Sequence, residues 1–255
     1  MNFATDPWYE DRRGKVMKAI SLGKPLKGRK EKRNSPMGKY TLELVPYSVS
    51  DNRFPFYSVV EIVRTSDGDR IGKVIRNDAD FPFIFVEDID GKDYLLCAED
   101  NQGFTVINIS EGKKHDYIAE KSKRGLAMRI TDFYLSPDRK NLAIEGYVKN
   151  KPNDVVETDE IHFYRVEDFM KVPYAEVDKR ITFAYDKVIG WESNERILIS
   201  QIEDFIVPTG VCLDDIKDTE ERIELLRKGN IKKQTAYYSY CPNSGEMHKV
   251  FSEWR

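Results

Sequence analysis

The side chains best suited to recognition chemistry in this 255-residue chain are short runs of carboxylates and amides. Asn77, Asp78 and Asp80 form one run and Asp100, Asn101 and Gln102 a second; Lys149 with Asn150 and Glu203 with Asp204 make two more. Such groups hydrogen-bond the polar atoms of a partner, and two carboxylates held together could work as general acid and base. A separate cationic set, Lys24, Lys27, Arg29, Lys30, Lys32 and Arg33, is of the kind that grips phosphates. No aromatic residue interleaves with it, so the stacking signature of single-strand nucleic-acid binding is missing.

Other reactive residue types are scattered. His115, His162 and His248 lie far apart, and we expect each at a surface or half-buried position on an outer strand. Cys97, Cys212 and Cys241 are odd in number and lack zinc spacing, which points to a reducing cytoplasm and away from a disulfide scaffold. Asp88-Ile89-Asp90-Gly91 opens like a calcium loop, with Glu99 as its last ligand. However, Lys92 and the apolar run Tyr94-Leu95-Leu96-Cys97 fill the places of the later ligands, so a plain turn is the better reading. There is no glycine-rich phosphate loop and no nucleophile elbow. These residues name no catalytic constellation, no metal and no cofactor.

What must position the polar runs is a series of short strands. Phe83 to Val86, Tyr94 to Ala98, Thr105 to Ile109 and a strand ending near Tyr117 are β-branched or aromatic, and are divided by Asp88-Ile89-Asp90-Gly91, a polar corner at 99–103, and Ser110-Glu111-Gly112. Four antiparallel strands of this kind make one propeller blade. Comparable units span about 39–78, 129–176 and 187–253. The starts of Phe85–Asp100, Tyr134–Tyr147 and Gly190–Asp204, which share one pattern, recur at blade-like spacing. The first unit shows three clear strands, and we expect the last strand of the chain to complete it and close the ring. The polar runs then fall on the loops of one face, together with the two longest connections, 149–160 and 205–234. Within the second connection, Asp215 to Lys228 reads as an amphipathic helix stopped by Gly229.

Before this body, residues 1–38 read as an N-terminal helix and basic arm, and residues 39–255 as the propeller-like domain with its insertion at 205–234. Residues 11–33 hold ten Lys and Arg against two acids, a net of +8; with −3 for the whole chain, the remainder carries −11. Hydrophobic content of 40% against 33% charged residues, with no long apolar run, fits a soluble globular protein without a membrane span.

Ser136-Pro137-Asp138-Arg139-Lys140-Asn141-Leu142-Ala143 resembles the turn between the two innermost strands of WD-repeat-like propeller blades, with Arg139 where glycine is usual. The terminal Trp-Asp dipeptide of true WD repeats is absent, so the resemblance is to the broad propeller class. The middle of the chain, with Arg76-Asn77, Phe81-Pro82-Phe83, Asp93 to Cys97 and Gln102-Gly103, also looks like a family of uncharacterised bacterial proteins; this implies a prokaryotic or phage setting and transfers no catalytic residue. The expectation is therefore an all-β, about four-bladed propeller with a basic arm and one inserted helix. It would act as a non-enzymatic module that captures a protein or small ligand on its loop face, in a phage or bacterial defence context. The alternatives are a hydrolase or lyase with carboxylates at the ring centre, and a nucleic-acid-binding protein acting through its arm.

Overall fold

Strict alternation over Tyr40–Ser48 buries Tyr40, Leu42, Leu44 and Pro46 and leaves the residues between them partly exposed, the mark of a strand with one face on a core. The computed structural model describes residues 25–26, 30–48, 56–76, 81–98, 104–117, 129–149, 157–167, 179–181, 185–206, 219–228 and 231–255. They form four sheets of four antiparallel strands, each a meander in chain order. Sheet 1 holds β1 (Glu31–Asn34), β2 (Tyr40–Ser48), β3 (Phe56–Arg64) and β4 (Arg70–Arg76). Sheet 2 holds β5 (Phe83–Ile89), β6 (Lys92–Ala98), β7 (Phe104–Asn108) and β8 (Lys113–Tyr117). Sheet 3 holds β9 (Arg129–Leu135), β10 (Asn141–Lys149), β11 (Glu157–Arg165) and β12 (Lys179–Ile181). Sheet 4 holds β13 (Lys187–Trp191), β14 (Ile197–Ile206), β15 (Lys232–Tyr240) and β16 (Met247–Trp254), with helix α1 (Thr219–Arg227) between β14 and β15. The chain is all-β in class, and its sheets are arranged as in a propeller.

Sheets pack face to face in sequence order. Leu42, Val60 and Ile62 meet Leu95, Cys97 and Ile107 between sheets 1 and 2. Val86, Leu96 and Val106 meet Phe133, Leu142 and Ile144 between sheets 2 and 3. Ala143, Ile161 and Phe163 meet Val188, Ile197 and Ile199 between sheets 3 and 4. A sheet covered on both faces needs apolar residues at successive positions, which is why β6 is a buried run and not an alternation. The first strands lie innermost, with β9 touching both β5 and β13. No helix among the described residues is long and apolar enough to cross a membrane.

Two expectations are corrected. The fourth strand of the first sheet is β1, and β16 pairs with β15 inside its own sheet. β1 comes from the stretch read as an arm, and its four residues are all exposed, so no hydrophobic period marks it. It is held by backbone pairing to β2 and by Lys32 Nζ, 2.7 Å from Glu43 Oε1. Pro46, which has no N–H to give, sits beyond the reach of β1; its carbonyl accepts from Leu26 N at 3.0 Å. His162, expected at or near the surface, is wholly buried on β11 with Nε2 2.7 Å from Glu160 Oε2, because sheet 3 is covered on both faces.

The turns follow their residues. At Ser136 to Asn141 the Ser136 hydroxyl accepts from Asn141 N at 2.9 Å, Asp138 Oδ1 accepts from Lys140 N at 3.1 Å, and Arg139 takes φ of +62°. Ser35-Pro36-Met37-Gly38-Lys39 repeats the arrangement between β1 and β2: Ser35 Oγ accepts from Tyr40 N at 3.1 Å, and Gly38 has φ of +72°. The tip Asp88 to Gly91 is a turn with positive φ at Asp88, Asp90 and Gly91, as expected of it.

Candidate functional site

The innermost strands leave a cleft of about 350 Å³ at the end where β5 and β9 begin. Arg33 of β1, Phe81, Pro82 and Phe83 at the entry to β5, and Thr131 and Asp132 of β9 line it. Pro82 fixes an extended entry, and the chain is tied there by Ala98 N donating to Pro82 O at 2.9 Å. The Phe81 and Phe83 rings lie 6.2 Å apart at 57°, and Phe85 continues the file edge-on to Phe83. The Arg33 guanidinium carbon rests 5.2 Å from the centre of the Phe83 ring, and Arg33 Nη2 is 2.9 Å from Glu31 Oε2. Asp132 is exposed, and its Oδ1 accepts from Phe133 N at 2.8 Å. The cleft thus presents a cation, a carboxylate and an aromatic wall, within the size range of small-ligand sites.

Behind Asp132 lies a second carboxylate. Glu145 on β10 stands opposite Asp132 in the β9–β10 register. Its Oε2 accepts from the Tyr134 hydroxyl at 2.9 Å, and its Oε1 from Val188 N of the next sheet at 3.3 Å. Burial pushes the Glu145 carboxyl above the usual range, against the opposing pull of those bonds. Burial also raises the Tyr134 and Tyr185 phenols well above normal, with the Glu145 charge next in effect. Trp191 serves packing: its ring stands edge-on to Phe163, and its Nε1 donates to Tyr134 O at 2.8 Å.

The opposite end of the inner strands is tied across. Buried Glu87 accepts from Ser35 Oγ at 2.7 Å and from Met37 N at 2.8 Å, while Arg139 Nη1 donates to Glu87 O at 2.8 Å. Three turns from three sheets meet there. Beside them Asp93 accepts from Lys39 Nζ at 3.0 Å, the Tyr40 hydroxyl at 2.8 Å and Asp88 N at 2.8 Å. Burial alone would raise the Asp93 carboxyl, but these donors hold it below its ordinary value. Burial and the bond to Asp93 push the Tyr40 phenol up to about 12.

Of the residues singled out from sequence, Asn77, Asp78, Asp80, Asp100, Asn101, Gln102 and Asn150, with Lys24, Lys27 and Arg29, lie outside the described residues. Glu203 is part of the framework of sheet 4: it accepts from Lys249 Nζ at 2.6 Å and from the Tyr238 hydroxyl, and these bonds lower its carboxyl. Exposed Asp204 bonds Phe205 N at 2.7 Å. Lys30 is exposed, Lys32 is paired with Glu43, and Arg33 faces the cleft. Sequence reading missed Phe83, Thr131, Asp132 and Glu145 as site residues. The available signal was a charged residue, Asp132, inside the strand pattern of an innermost strand. Among the described residues no three His, Cys, Asp or Glu side chains gather as a metal-binding group.

No protein-family model and no curated protein sequence matches the chain. Among solved structures it is similar to the Pyrococcus horikoshii acylaminoacyl peptidase, with TM-score 0.54 and 13% identity over 88% of this chain and 32% of that one. It is also similar to the Kuenenia stuttgartiensis hydrazine synthase, with TM-score 0.44 and 11% identity over 86% of this chain and 64% of that one. A third likeness is to the β-propeller domain of Myceliophteria thermophila Cps50 (Swd1), with TM-score 0.41 and 12% identity over 90% of this chain and 88% of that one. The chain spans less than two thirds of the length of the first two, and at these identities the likeness concerns the fold alone. The chain's own strand order and the packing of successive sheets make it a propeller-like array of four-stranded sheets.

Proposed function

We propose that the chain is a non-enzymatic binding module that captures a small ligand or a short protein segment at the loop end of its inner strands. The observation that carries this reading is the cleft bounded by Arg33, Phe83 and Asp132. An apolar group of the ligand would lie on Phe81 and Phe83, with a cationic group toward Asp132 and an anionic group toward Arg33. The loops holding Asn77, Asp78, Asp80, Asp100, Asn101, Gln102 and Asn150 would widen the contact around it. The test is capture from a bacterial extract by tagged protein, with bound molecules identified by mass spectrometry. Arg33→Ala and Asp132→Ala, both at exposed positions, should each lower recovery of the bound molecule at least tenfold with the β-type circular dichroism unchanged. Full recovery by both variants would remove the cleft from consideration.

An enzymatic reading has one observation in its favour: exposed Asp132 and half-buried Glu145, whose carboxyl burial raises above its ordinary value, stand opposite each other with Tyr134 bonded to Glu145. One exposed and one half-buried carboxylate side by side is an arrangement in which acid and base roles can be divided. A hydrolase or lyase of this kind would lose turnover in both Asp132→Asn and Glu145→Gln; turnover that survives both rejects it.

A further inference from the structure

An irregularity in β9 decides what the cleft can hold. Asp132 stands opposite Glu145 of β10 and Ile130 opposite Gly146, so Thr131 is an extra residue and the strand is bulged there. In a regular strand adjacent side chains point to opposite faces. Here Ile130 and Phe133 are both buried in the core between sheets 2 and 3, and Thr131 and Asp132 between them both line the cleft. The bulge thus aims a hydroxyl and a carboxylate at one space, and bulges recur beside functional sites for this purpose.

The charges in that space do not balance. Arg33, the cation on the wall, is already answered: its Nε lies 3.1 Å and its Nη2 2.9 Å from Glu31 Oε2. Asp132 is exposed and forms no ion pair, and the side chain opposite it on β10 is another carboxyl, Glu145. Among the described residues of the wall, Asp132 is therefore the charge without a counter-charge. An anion at Arg33 must compete with Glu31, whereas a cation at Asp132 competes with water alone.

The form of the cation follows from the acceptors. Asp132 Oδ1 already accepts from Phe133 N at 2.8 Å. The flat fork of a guanidinium, which takes both carboxylate oxygens in parallel, fits such a group poorly. The three diverging donors of an ammonium suit one free carboxylate oxygen with a hydroxyl beside it. Pro82 and Phe83, half-buried on the same wall, supply an apolar strip for an aliphatic stem, as apolar surface does for a lysine stem whose head stays in polar surroundings. On the binding reading above, on which this inference rests, we propose that the ligand of the cleft is a primary ammonium group on an unbranched aliphatic stem, whether a free alkylamine or a lysine side chain.

Titration of the full chain followed by NMR, at low salt, with n-pentylamine, N-acetyl-lysine amide, N-acetyl-arginine amide and uncharged n-pentanol tests this. The expected result is saturable binding of an amine, about tenfold or more tighter than n-pentanol and tighter than the arginine derivative. Asp132→Asn, which keeps the acceptor for Phe133 N, should bring the amine down to the level of n-pentanol. Binding of the lysine derivative without n-pentylamine identifies a lysine side chain as the natural source, and binding of n-pentylamine identifies a free amine. The proposal is overturned if n-pentanol or the arginine derivative binds as tightly as the amines, or if Asp132→Asn binds them unchanged; the cleft as a binding site then stands and the ammonium falls. Absence of saturation by any of the probes up to about 20 mM overturns the proposal and counts against the cleft itself.

Discussion

The guanidinium of Arg139 donates through Nη1 to the backbone carbonyl of Glu87 at 2.8 Å, from a turn position with φ of +62°. The turn residue that costs backbone energy in sheet 3 therefore also ties that sheet to sheet 2. A left-handed conformation in a non-glycine residue costs about 1–2 kcal/mol, and the bond across the sheets opposes that cost. Arg139→Gly should lose the tie but relieve the backbone, whereas Arg139→Ala should lose the tie and keep the strain. We expect Arg139→Ala to be the less stable of the two by about 1 kcal/mol, as measured by urea unfolding. Equal stabilities would show that the backbone is not strained there.

Among the described residues Arg76 is the largest fully buried side chain. Its Nε donates to Ala98 O at 2.7 Å and its Nη2 to Cys97 O at 3.2 Å, so it ties the outer strand of sheet 1 to the end of β6. A lysine cannot present this planar fork. Arg76→Lys should cost about 2–4 kcal/mol, because carbonyls and a charge are left poorly paired in the interior. A change of a few tenths would mean that water replaces the arginine.

The Asp93 carboxyl is held below its ordinary value against the opposing effect of burial. A depressed carboxylate contributes stability above its unfolded pKa, about 4, and that contribution is lost as pH falls through the folded value. Asp93→Asn should therefore lower the melting temperature at pH 7, and the gap to wild type should narrow below about pH 4. Melting curves over pH 3–8 check this; a gap independent of pH would contradict it.

Glu145 is displaced in the opposite direction, chiefly by burial. A carboxyl with a raised folded pKa favours the fold when protonated, and that advantage is lost as pH rises through the folded value. Glu145→Gln should be at least as stable as wild type at pH 7, and wild type should gain on it as pH falls toward about 4. A constant difference across this range would show that the carboxylate is ionised in the fold.

The WD-like turn at Ser136 to Asn141 was legible because its chemistry is local: a serine, a proline and an aspartate specify a turn whatever surrounds them. The same chemistry recurs at Ser35-Pro36-Met37-Gly38-Lys39, and it was the signal that could have revealed β1, which hydrophobic periodicity could not. The core strands β2, β6, β10 and β14 were legible for a different reason, since their apolar content records burial directly.

Pairing and juxtaposition were decided only in three dimensions. Nothing in Glu31-Lys32-Arg33-Asn34 distinguishes a charged strand from a charged arm; β2 decides it by offering an unpaired row of backbone groups. Nothing local places Phe83 beside Arg33, or sets Asp132 with them around one cleft, because these residues come from three sheets. The sequence by itself determined where the chain turns and which residues seek the interior, since both follow from neighbours along the chain. The tertiary structure alone decided which strand ends the first sheet and which polar groups meet at the centre, since each depends on contacts between residues far apart along the chain.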